Sequence, residues 1–356
     1  MVQENTVSRV HARMGLLGNP SDSYYGKTIS LSLANFLAEV TLTPSSQVAF
    51  VPHLLHDGGQ YTDLEELRTR ITGEGYSGGI RLLKAICKKF LEACEQRQIR
   101  LPAGKNFTLS YETNIPRQAG LSGSSAIVCA ALNCLLDFYG VADRFPVHER
   151  PNLVLSAEEE LGITAGLQDR VVQVFGGVVF MDFEQGHMQA HGHGRYESLD
   201  PAVLPRLWLV YAAEPSDSGA VHSDIRRRWQ RGDADVAAAM TTFADIAQAG
   251  RHALETGDRA ALARLMDQNF DTRRRLFGDL VLGEVNLRMI QCARSVGAAA
   301  KFTGSGGAIV AFCPQGEGQE DRLRAACQKE GFVVVQVEIG EQCFQATSSL
   351  YHRNLH

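Results

Sequence analysis

The sequence predicts an α+β protein with two lobes, divided near residue 205. Short β-type runs, turn signals and helical runs follow one another in the first part of the chain, without repeats or low-complexity tracts. After Pro205 the pattern changes to one β-type run followed by long helical stretches. With 356 residues, 44% of them hydrophobic and 21% charged, the chain can bury a sizeable core. We therefore expect an N-terminal lobe over residues 1–205 and a C-terminal lobe over residues 206–356.

The predicted N-terminal lobe mixes strands and helices. Strands are expected at residues 28–33, 38–43 and 107–111 and as two short runs within 171–182. Helices are expected at residues 65–71, 78–96, 124–139 and around 153–161. The helix at 78–96 is predicted from apolar side chains that recur every three or four positions. The strand at 107–111 is predicted from the alternation of apolar and polar side chains.

The predicted C-terminal lobe is mainly helical before a final mixed segment. A strand is expected at residues 207–212, followed by helices at 234–256, 260–275 and 284–296. A glycine-rich loop, a β-type run at 308–312, a helix at 322–330 and a β-type run at 333–337 complete the chain. This mixed order indicates an α+β protein.

Charge and hydropathy argue against two classes of protein. A net charge of −5 and a pI near 6.1 give no basic surplus for nucleic-acid phosphates. No stretch approaches the roughly 18 apolar residues of a membrane span, and the N-terminus lacks the apolar run of a signal peptide. The eight cysteines form no C-x-x-C pair, which predicts thiols in a reducing compartment. We expect a cytoplasmic protein that binds neither nucleic acid nor membrane.

A glycine- and serine-rich loop precedes the predicted helix at 124–139. Its sequence is Gly120-Leu121-Ser122-Gly123-Ser124-Ser125. Glycines let the backbone approach a ligand closely, and a helix N-terminus offers unpaired N–H groups and a positive dipole end. The loop lacks the Gly-Lys-Ser/Thr of a Walker motif. Because such loops are also common as capped turns, this loop alone leaves phosphate binding and a plain turn equally open.

Three other regions support the interpretation of this loop as a phosphate site. Residues 12–22 place a basic and an acidic side chain around a short apolar run, and residues 301–307 form a second glycine-rich loop. Glu158 and Asp169 lie eleven positions apart, on either side of the glycine-rich turn 162–168. A carboxylate in such a turn can reach into a cleft as a base or a metal ligand.

In their order and spacing, three of these motifs resemble those of the GHMP kinases, the family of galactokinase, homoserine kinase, mevalonate kinase and phosphomevalonate kinase. Residues 12–22 resemble the family's N-terminal substrate motif, residues 120–125 its phosphate loop and residues 301–307 its C-terminal glycine loop. The resemblance covers most of the chain. It implies a two-lobed kinase fold, with the phosphate loop at a helix N-terminus between the lobes, and the cofactors ATP and Mg²⁺.

The resemblance also implies roles for single residues. Asp169 matches the family's catalytic carboxylate, and Arg13 matches the basic residue that keeps it ionised and offsets phosphoryl charge. Glu158 matches the acidic magnesium ligand. Ser125 is expected to supply the magnesium hydroxyl, with Ser124 next, because the loop is one residue longer than in mevalonate kinase. The implied ATP phosphate-binding residues are Gly120, Leu121, Ser122, Gly123, Ser124, Ser125, Gly304, Ser305 and Gly306.

Within this family, several strings resemble glucuronokinase sequences nearly residue for residue: residues 15–22, 115–118, 120–125, 166–170 and 215–219. This resemblance implies transfer of the ATP γ-phosphoryl group to the anomeric hydroxyl of D-glucuronate. Asp22 stands where galactokinases use an aspartate to bind sugar hydroxyls. Asn19 stands where galactokinases carry a glutamate, and an amide there does not repel a uronate.

A uronate kinase also needs a cation for the sugar carboxylate, ideally a bidentate arginine. Arg117 and Arg170 adjoin the motifs, and Arg273, Arg274 and Arg275 form a cluster for which a solvated helix face is favoured. The sequence does not choose among these arginines. It also leaves the oligomeric state and the role of residues 51–104 open.

Two alternatives remain beside a glucuronate kinase. One is a kinase of another sugar or sugar acid, such as galacturonate or galactose. The other is a catalytically silent relative that senses sugar and ATP by binding them. The presence of Arg13, Glu158 and Asp169 together argues against a silent sensor, which has no need of all three.

Overall fold

The structure is a computed structural model and describes residues 4–54, 57, 78–163, 165–212 and 222–346. The described chain forms two compact units. Unit 1 comprises Met1–His11, Phe36–Ile115 and Gly123–Ala165, and unit 2 comprises Ala12–Asn35, Pro116–Ser122 and Gly166–His356. Two long strands that pair with each other, β1 (Thr6–Leu17) and β2 (Lys27–Ser45), contribute residues to both units.

Unit 1 combines sheet and helices. Residues 38–45 of β2 pair antiparallel with β4 (Asn106–Thr113), and β4 pairs in parallel with β3 (Ala49–Phe50). Three helices contact one another: α1 (Gly79–Gln96), α2 (Gly123–Tyr139) and α3 (Arg150–Glu159). Residues 125–132 of α2 are all buried because its sequence is apolar almost throughout. The core of unit 1 therefore holds the helix that begins where the glycine- and serine-rich loop ends.

Unit 2 contains strands from two sheets. Residues 27–31 of β2 pair antiparallel with β5 (Val178–Asp182), which pairs antiparallel with β6 (Arg195–Leu199). A second, antiparallel sheet has the order β10 (Phe332–Gln336), β7 (Leu207–Ala212), β9 (Ala308–Phe312) and β8 (Ala299–Phe302). Both β8 and β9 are buried along their whole length, so the loop that joins them is held at a fixed place.

Helices account for much of the rest of unit 2. They are α4 (Gln168–Phe175), α5 (Gln185–His191), α6 (His222–Gln230), α7 (Ala234–Thr256), α8 (Arg259–Phe277), α9 (Asp279–Leu282), α10 (Glu284–Ser295) and α11 (Glu317–Lys329). The side chains of Asp233 and Asp258 cap α7 and α8 at their N-termini, and Gly257 ends α7 in a left-handed conformation. Because α8 packs against both α7 and β8, its buried face reaches the glycine loop after β8.

Most predicted helices and strands are confirmed, but several observed elements were not predicted, among them α5, β6 and α6. Residues 171–175 were expected as a strand, but they form the last part of the helix α4. This helix begins at Gln168, directly after the glycine-rich turn. The two strands expected at 28–33 and 38–43 are parts of one continuous strand, β2. The opening strand β1 was not predicted, because residues 12–17 are buried without alternation and carry no period-two signal. The helix expected at 65–71 lies outside the described residues.

The predicted lobe boundary near residue 205 stays a prediction. The two compact units are a different division of the chain. Unit 2 takes in residues from both sides of this boundary, including residues 12–35 and 116–122. All eight cysteines are described and carry free thiols, as predicted. None of the described helices has the length and apolarity needed to cross a membrane.

Candidate active site

The two glycine-rich loops lie against each other within unit 2. Gly120 has a φ of +62°, and a Cβ atom there would lie 2.2 Å from the carbonyl oxygen of Gly306. Gly307 has a φ of +84°, and a Cβ atom there would lie 2.2 Å from the carbonyl oxygen of Gln118. Any larger residue would force the two backbones apart. The structure thus brings the predicted phosphate loop and the predicted C-terminal glycine loop together.

Arg13 links both loops to Asp169. Its side chain is buried, and its Nε and Nη2 atoms donate to the two carboxylate oxygens of Asp169, the second bond measuring 2.7 Å. Its Nη1 atom donates to the carbonyl oxygens of Gly120, at 2.7 Å, and Thr303, at 3.4 Å. The backbone N–H of Arg13 also donates to the carbonyl of Leu121. The planar fork of a guanidinium suits this bidentate pairing with a carboxylate.

Asp169 lies at the start of α4 and is held in its ionised form. Burial alone raises the pKa of this carboxyl, but Arg13, Arg170 and Ser122 outweigh burial and lower the pKa to about 2. The Ser122 hydroxyl donates to Oδ2, and the Arg170 guanidinium lies 3.5 Å from the same oxygen. Ser122 has a φ of +59°, rare for a residue with a side chain, and this conformation accompanies the contact with Asp169.

The N-terminal motif is held by α8 and β8. The side chain of Asn269 on α8 accepts from the N–H of Gly18, at 2.7 Å, and donates to the carbonyl of Asn19, at 3.2 Å. The Lys301 ammonium on β8 donates to the side-chain oxygen of Asn19, at 2.7 Å. Asn19 is almost fully buried and precedes a cis peptide bond to Pro20. The predicted substrate residue Asn19 is therefore fixed in both its backbone and its side chain.

Asp22 packs against the turn that leads to Asp169. Its two carboxylate oxygens accept from the side chain of Gln168, at 2.9 Å, and from the backbone N–H of Gln168, at 3.3 Å. A Cβ atom on Gly166 would lie only 1.8 Å from Asp22 Oδ2, so only glycine fits there. Burial and the nearby charge of Asp169 raise the pKa of Asp22 to about 7, against opposing effects from Gln168 and Arg170.

Replacing Asp22 by asparagine is expected to stabilise the protein increasingly as the pH rises from 4 to 7. Between the ordinary pKa of 3.8 and the raised value of about 7, the folded state keeps a proton that the unfolded state has lost. The stability of the wild type therefore falls with pH in this window, by up to about 1.4 kcal/mol per pH unit, and levels off above pH 7. The measurement is the Tm difference between Asp22→Asn and wild type from pH 4 to 8. A Tm difference that stays constant over this range would contradict the prediction.

In unit 1, two loop serines meet Glu158. The hydroxyl of Ser124 donates to Glu158 Oε1, at 2.8 Å, and the hydroxyl of Ser125 lies 3.0 and 3.1 Å from the two carboxylate oxygens. Glu158 is completely buried on α3, and Ser125 is buried in the first turn of α2. The predicted metal residues Ser125 and Glu158 are thus in direct contact. The described part of the chain holds no group of three or more His, Cys, Asp or Glu placed to bind a metal ion.

The candidate arginines differ in position. Arg117 is exposed, whereas Arg170 is buried and donates to the carbonyl of Gly166, at 2.8 Å. The expectation of a solvated face for the triple run 273–275 is wrong for its first member. Arg273 is 1% exposed and donates to the carbonyls of Gly304 and Ser305 of the glycine loop, while Arg274 and Arg275 are exposed.

Several residues of this region were missed from the sequence. They are Lys301, Asn269 and Gln168. Arg273 was named only within a cluster for which a solvated face was favoured, and Ser122 was predicted only as a phosphate-loop residue. Only the position of Lys301, directly before the second glycine loop, was a usable signal. The contacts of the others depend on how α8 and α4 pack, which no local motif records. Residues 215–219, which carry part of the resemblance, lie outside the described residues.

Known proteins share both the sequence and the fold of this chain. Residues 81–177 match the family profile described as GHMP kinases N terminal domain, and residues 251–332 match GHMP kinases C terminal. Glucuronokinase 1 of Arabidopsis thaliana is 55% identical over 335 residues, which cover 94% of this chain and 92% of that protein. Probable glucuronokinase 2 of the same plant is 54% identical, covering 93% of this chain and 90% of that protein.

Solved structures extend the likeness at much lower sequence identity. The crystal structure of Lactococcus lactis galactokinase complexed with galactose matches with a TM-score of 0.70 and 14% identity, covering 96% of this chain and 95% of that one. The crystal structure of L. major mevalonate kinase in complex with R-mevalonate matches with a TM-score of 0.65 and 17% identity, covering 95% of this chain and 98% of that one. At such identities the likeness concerns the fold alone, and it agrees with the predicted α+β fold.

Proposed function

This chain belongs to the GHMP kinase family, and we propose that it transfers the γ-phosphoryl group of ATP to the anomeric hydroxyl of D-glucuronate, giving glucuronate 1-phosphate. The observation that carries this proposal is the identity of 55% to an Arabidopsis glucuronokinase over 94% of the chain. The geometry of the candidate site supports it, because a kinase needs a carboxylate near the acceptor hydroxyl and cations near the phosphates.

Asp169 receives the proton of the acceptor hydroxyl in this proposal. The anomeric oxygen attacks the γ-phosphorus, the bond from that phosphorus to the ADP oxygen breaks, and the hydroxyl proton passes to Asp169. A carboxylate with a pKa of about 2 is a weak base, so it orients the hydroxyl first and takes the proton as the new O–P bond makes it acidic. Arg13 keeps Asp169 ionised until then and offsets the charge of the transferring group.

The phosphates of ATP are proposed to lie at the two glycine-rich loops. Residues 120–125 lead into α2, which begins at Gly123. The N-terminus of a helix offers unpaired N–H groups, and its dipole favours negative charge. Residues 304–306 form the second loop, and Arg273 anchors it through two of its carbonyl oxygens. Glycine at these positions keeps the backbone free to approach the phosphate oxygens.

A magnesium ion fits the oxygen groups of Ser125 and Glu158. Mg²⁺ prefers hard oxygen ligands and is commonly held by one or two carboxylates together with substrate phosphates. The Ser125 hydroxyl and the Glu158 carboxylate touch each other, and Ser124 adds a second hydroxyl to the same carboxylate. When bound, the ion neutralises phosphate charge. Ser125 and Glu158 would hold it, while Ser124 orients Glu158.

Replacing Glu158 by glutamine is expected to raise the Mg²⁺ concentration needed for half-maximal activity by roughly 10- to 100-fold. The amide keeps the size of the side chain and an oxygen that can accept from Ser125, but it loses the negative charge that attracts the cation. The measurement is a magnesium titration of the initial rate at saturating ATP and sugar. Glu159→Gln, an exposed neighbour on α3, is the matched control. An unchanged magnesium requirement in Glu158→Gln would remove Glu158 from the metal site.

The sugar is proposed to contact Asn19, Asp22 and Arg170. Asp22 accepts hydrogen bonds from sugar hydroxyls, and its buried position beside Gln168 fixes its orientation. Arg170 lies against Asp169 and brings positive charge to the acceptor site. Arg117 is exposed, and it is included in the proposed sugar site only because it adjoins the phosphate loop at residues 120–125.

The decisive test is ADP release by the purified protein with magnesium-ATP and a panel of sugars. We expect turnover with D-glucuronate that exceeds turnover with D-galacturonate, D-galactose and D-glucose. Faster turnover of another sugar would refute the specificity. Tight sugar binding without turnover of any sugar would refute the kinase activity and favour a sensor.

A further inference from the structure

Lys301 is a buried amine whose hydrogen-bond acceptors are all neutral oxygens. It is 1% exposed on β8, and its Nζ atom donates to the carbonyl of Gly15 at 2.9 Å, the side-chain oxygen of Asn19 at 2.7 Å and the carbonyl of Phe302 at 2.6 Å. Three oxygen acceptors use all three protons of an ammonium group. Within the described chain no carboxylate pairs with Lys301.

The positive charge around Lys301 is not balanced. Burial, Arg273 and Arg13 all lower the pKa of Lys301 well below its usual value. The three oxygen acceptors around Nζ are the geometry that suits the protonated amine, which has three N–H donors. Arg273 is buried without a carboxylate partner among the described residues, and its Nε atom has no hydrogen-bond partner. Asp169 balances Arg13. Two buried cations therefore lack a counterion, and a bound anion would supply the missing charge.

Lys301 also fixes which way the Asn19 amide points. An ammonium group has no acceptor, so the Asn19 atom at 2.7 Å must be its oxygen. The Nδ2 end then points away from Lys301, and no acceptor for it lies among the described residues. Gly15, whose carbonyl binds Lys301, lies next to Asn19 and donates its N–H to Thr303, and the Thr303 carbonyl accepts from Arg13. Through Gly15 and Thr303, Asn19 belongs to the same set of contacts as Arg13, which pairs with Asp169.

We infer that Asn19 and Lys301 together select an acceptor that carries a carboxylate. Lys301 is the positioning residue: it turns the Asn19 amide so that Nδ2 donates to the acceptor's carboxylate, and its uncompensated charge stabilises that anion. A neutral sugar gains the amide hydrogen bond at most, and it leaves the charge of Lys301 unbalanced. This inference rests on the proposed function only for the place where the acceptor binds.

Asn19→Asp tests the inference with a change of almost no volume. The new carboxylate would lie beside Lys301, balance its charge and replace the amide donor by an acceptor. We expect the ratio of D-glucuronate affinity to D-glucose affinity, measured by calorimetry, to fall at least tenfold. The KM for ATP should change little, and the Tm should not fall, since the buried lysine gains a partner. A ratio equal to that of wild type would overturn the inference.

Two further variants complete the test. Asn114→Asp adds the same charge at an exposed position in unit 1, where the side-chain oxygen still accepts from Leu37, and it should leave the ratio unchanged. Lys301→Met removes the charge and the orienting donor, and it should also lower the ratio if the protein folds. Failure of the proposed function is seen separately, as a wild type that does not phosphorylate D-glucuronate. A wild type without any preference for acidic over neutral sugars would overturn the inference itself.

Discussion

Asp169→Asn is expected to lower kcat by about 10²- to 10⁴-fold, the usual contribution of a positioned acid or base, with little change in ATP affinity. The amide keeps the size of the side chain but cannot take up the proton of the acceptor hydroxyl. It also places an N–H group where Arg13 and Ser122 both donate, so one of these donors loses its acceptor. Steady-state kinetics with D-glucuronate and magnesium-ATP give kcat, and calorimetry gives the nucleotide affinity.

Ser122→Ala is the matched comparison for this variant. It removes a hydrogen bond to Asp169 Oδ2 but leaves the carboxylate and its pairing with Arg13 intact. Its kcat should fall far less than that of Asp169→Asn. Full activity of Asp169→Asn would refute the assigned role, and a parallel loss of ATP binding and Tm would show that Asp169 is structural.

The fold was predictable wherever one period dominates the sequence. The helix α1 and the strand β4 were expected because their apolar residues recur with periods of 3.6 and 2. Residues 171–175 contain three valines, which favour strands by propensity, yet they form a helix because α4 is buried on most sides and starts from the turn at Gly166. Intrinsic preference is weak beside such tertiary packing.

The site was predictable to the extent that it lies in contiguous motifs. Arg13, Asp169 and the two glycine loops could be named from their order, and the structure brings them together in unit 2. The burial of Arg273 could not be seen, because three successive arginines on a helix look like a solvated face. Only the packing of α8 against β8 turns the first of them inward, toward the glycine loop.

Arg13 makes the contacts that hold the candidate site together. One guanidinium bonds both oxygens of Asp169 and the carbonyl oxygens of Gly120 and Thr303, which belong to three separate stretches of the chain. A lysine at the same position keeps the charge but has a single nitrogen, which cannot form the bidentate pair and also reach both loops. Buried acceptors that lose their donor cost about 1–3 kcal/mol.

Arg13→Lys is therefore expected to lower kcat/KM by roughly 10²-fold, comparable to the loss of one preorganised donor in a reaction centre, and to lower the free energy of unfolding by about 1–3 kcal/mol. Kinetics and urea denaturation measure the two effects. Arg274→Lys is the control, because Arg274 makes an equally bidentate pair with Asp279 but on the exposed face of α8, where water screens it. It should change neither quantity. If Arg13→Lys behaved like Arg274→Lys, the charge alone would be enough at position 13, and the fork of hydrogen bonds to the two loops would have no part in catalysis.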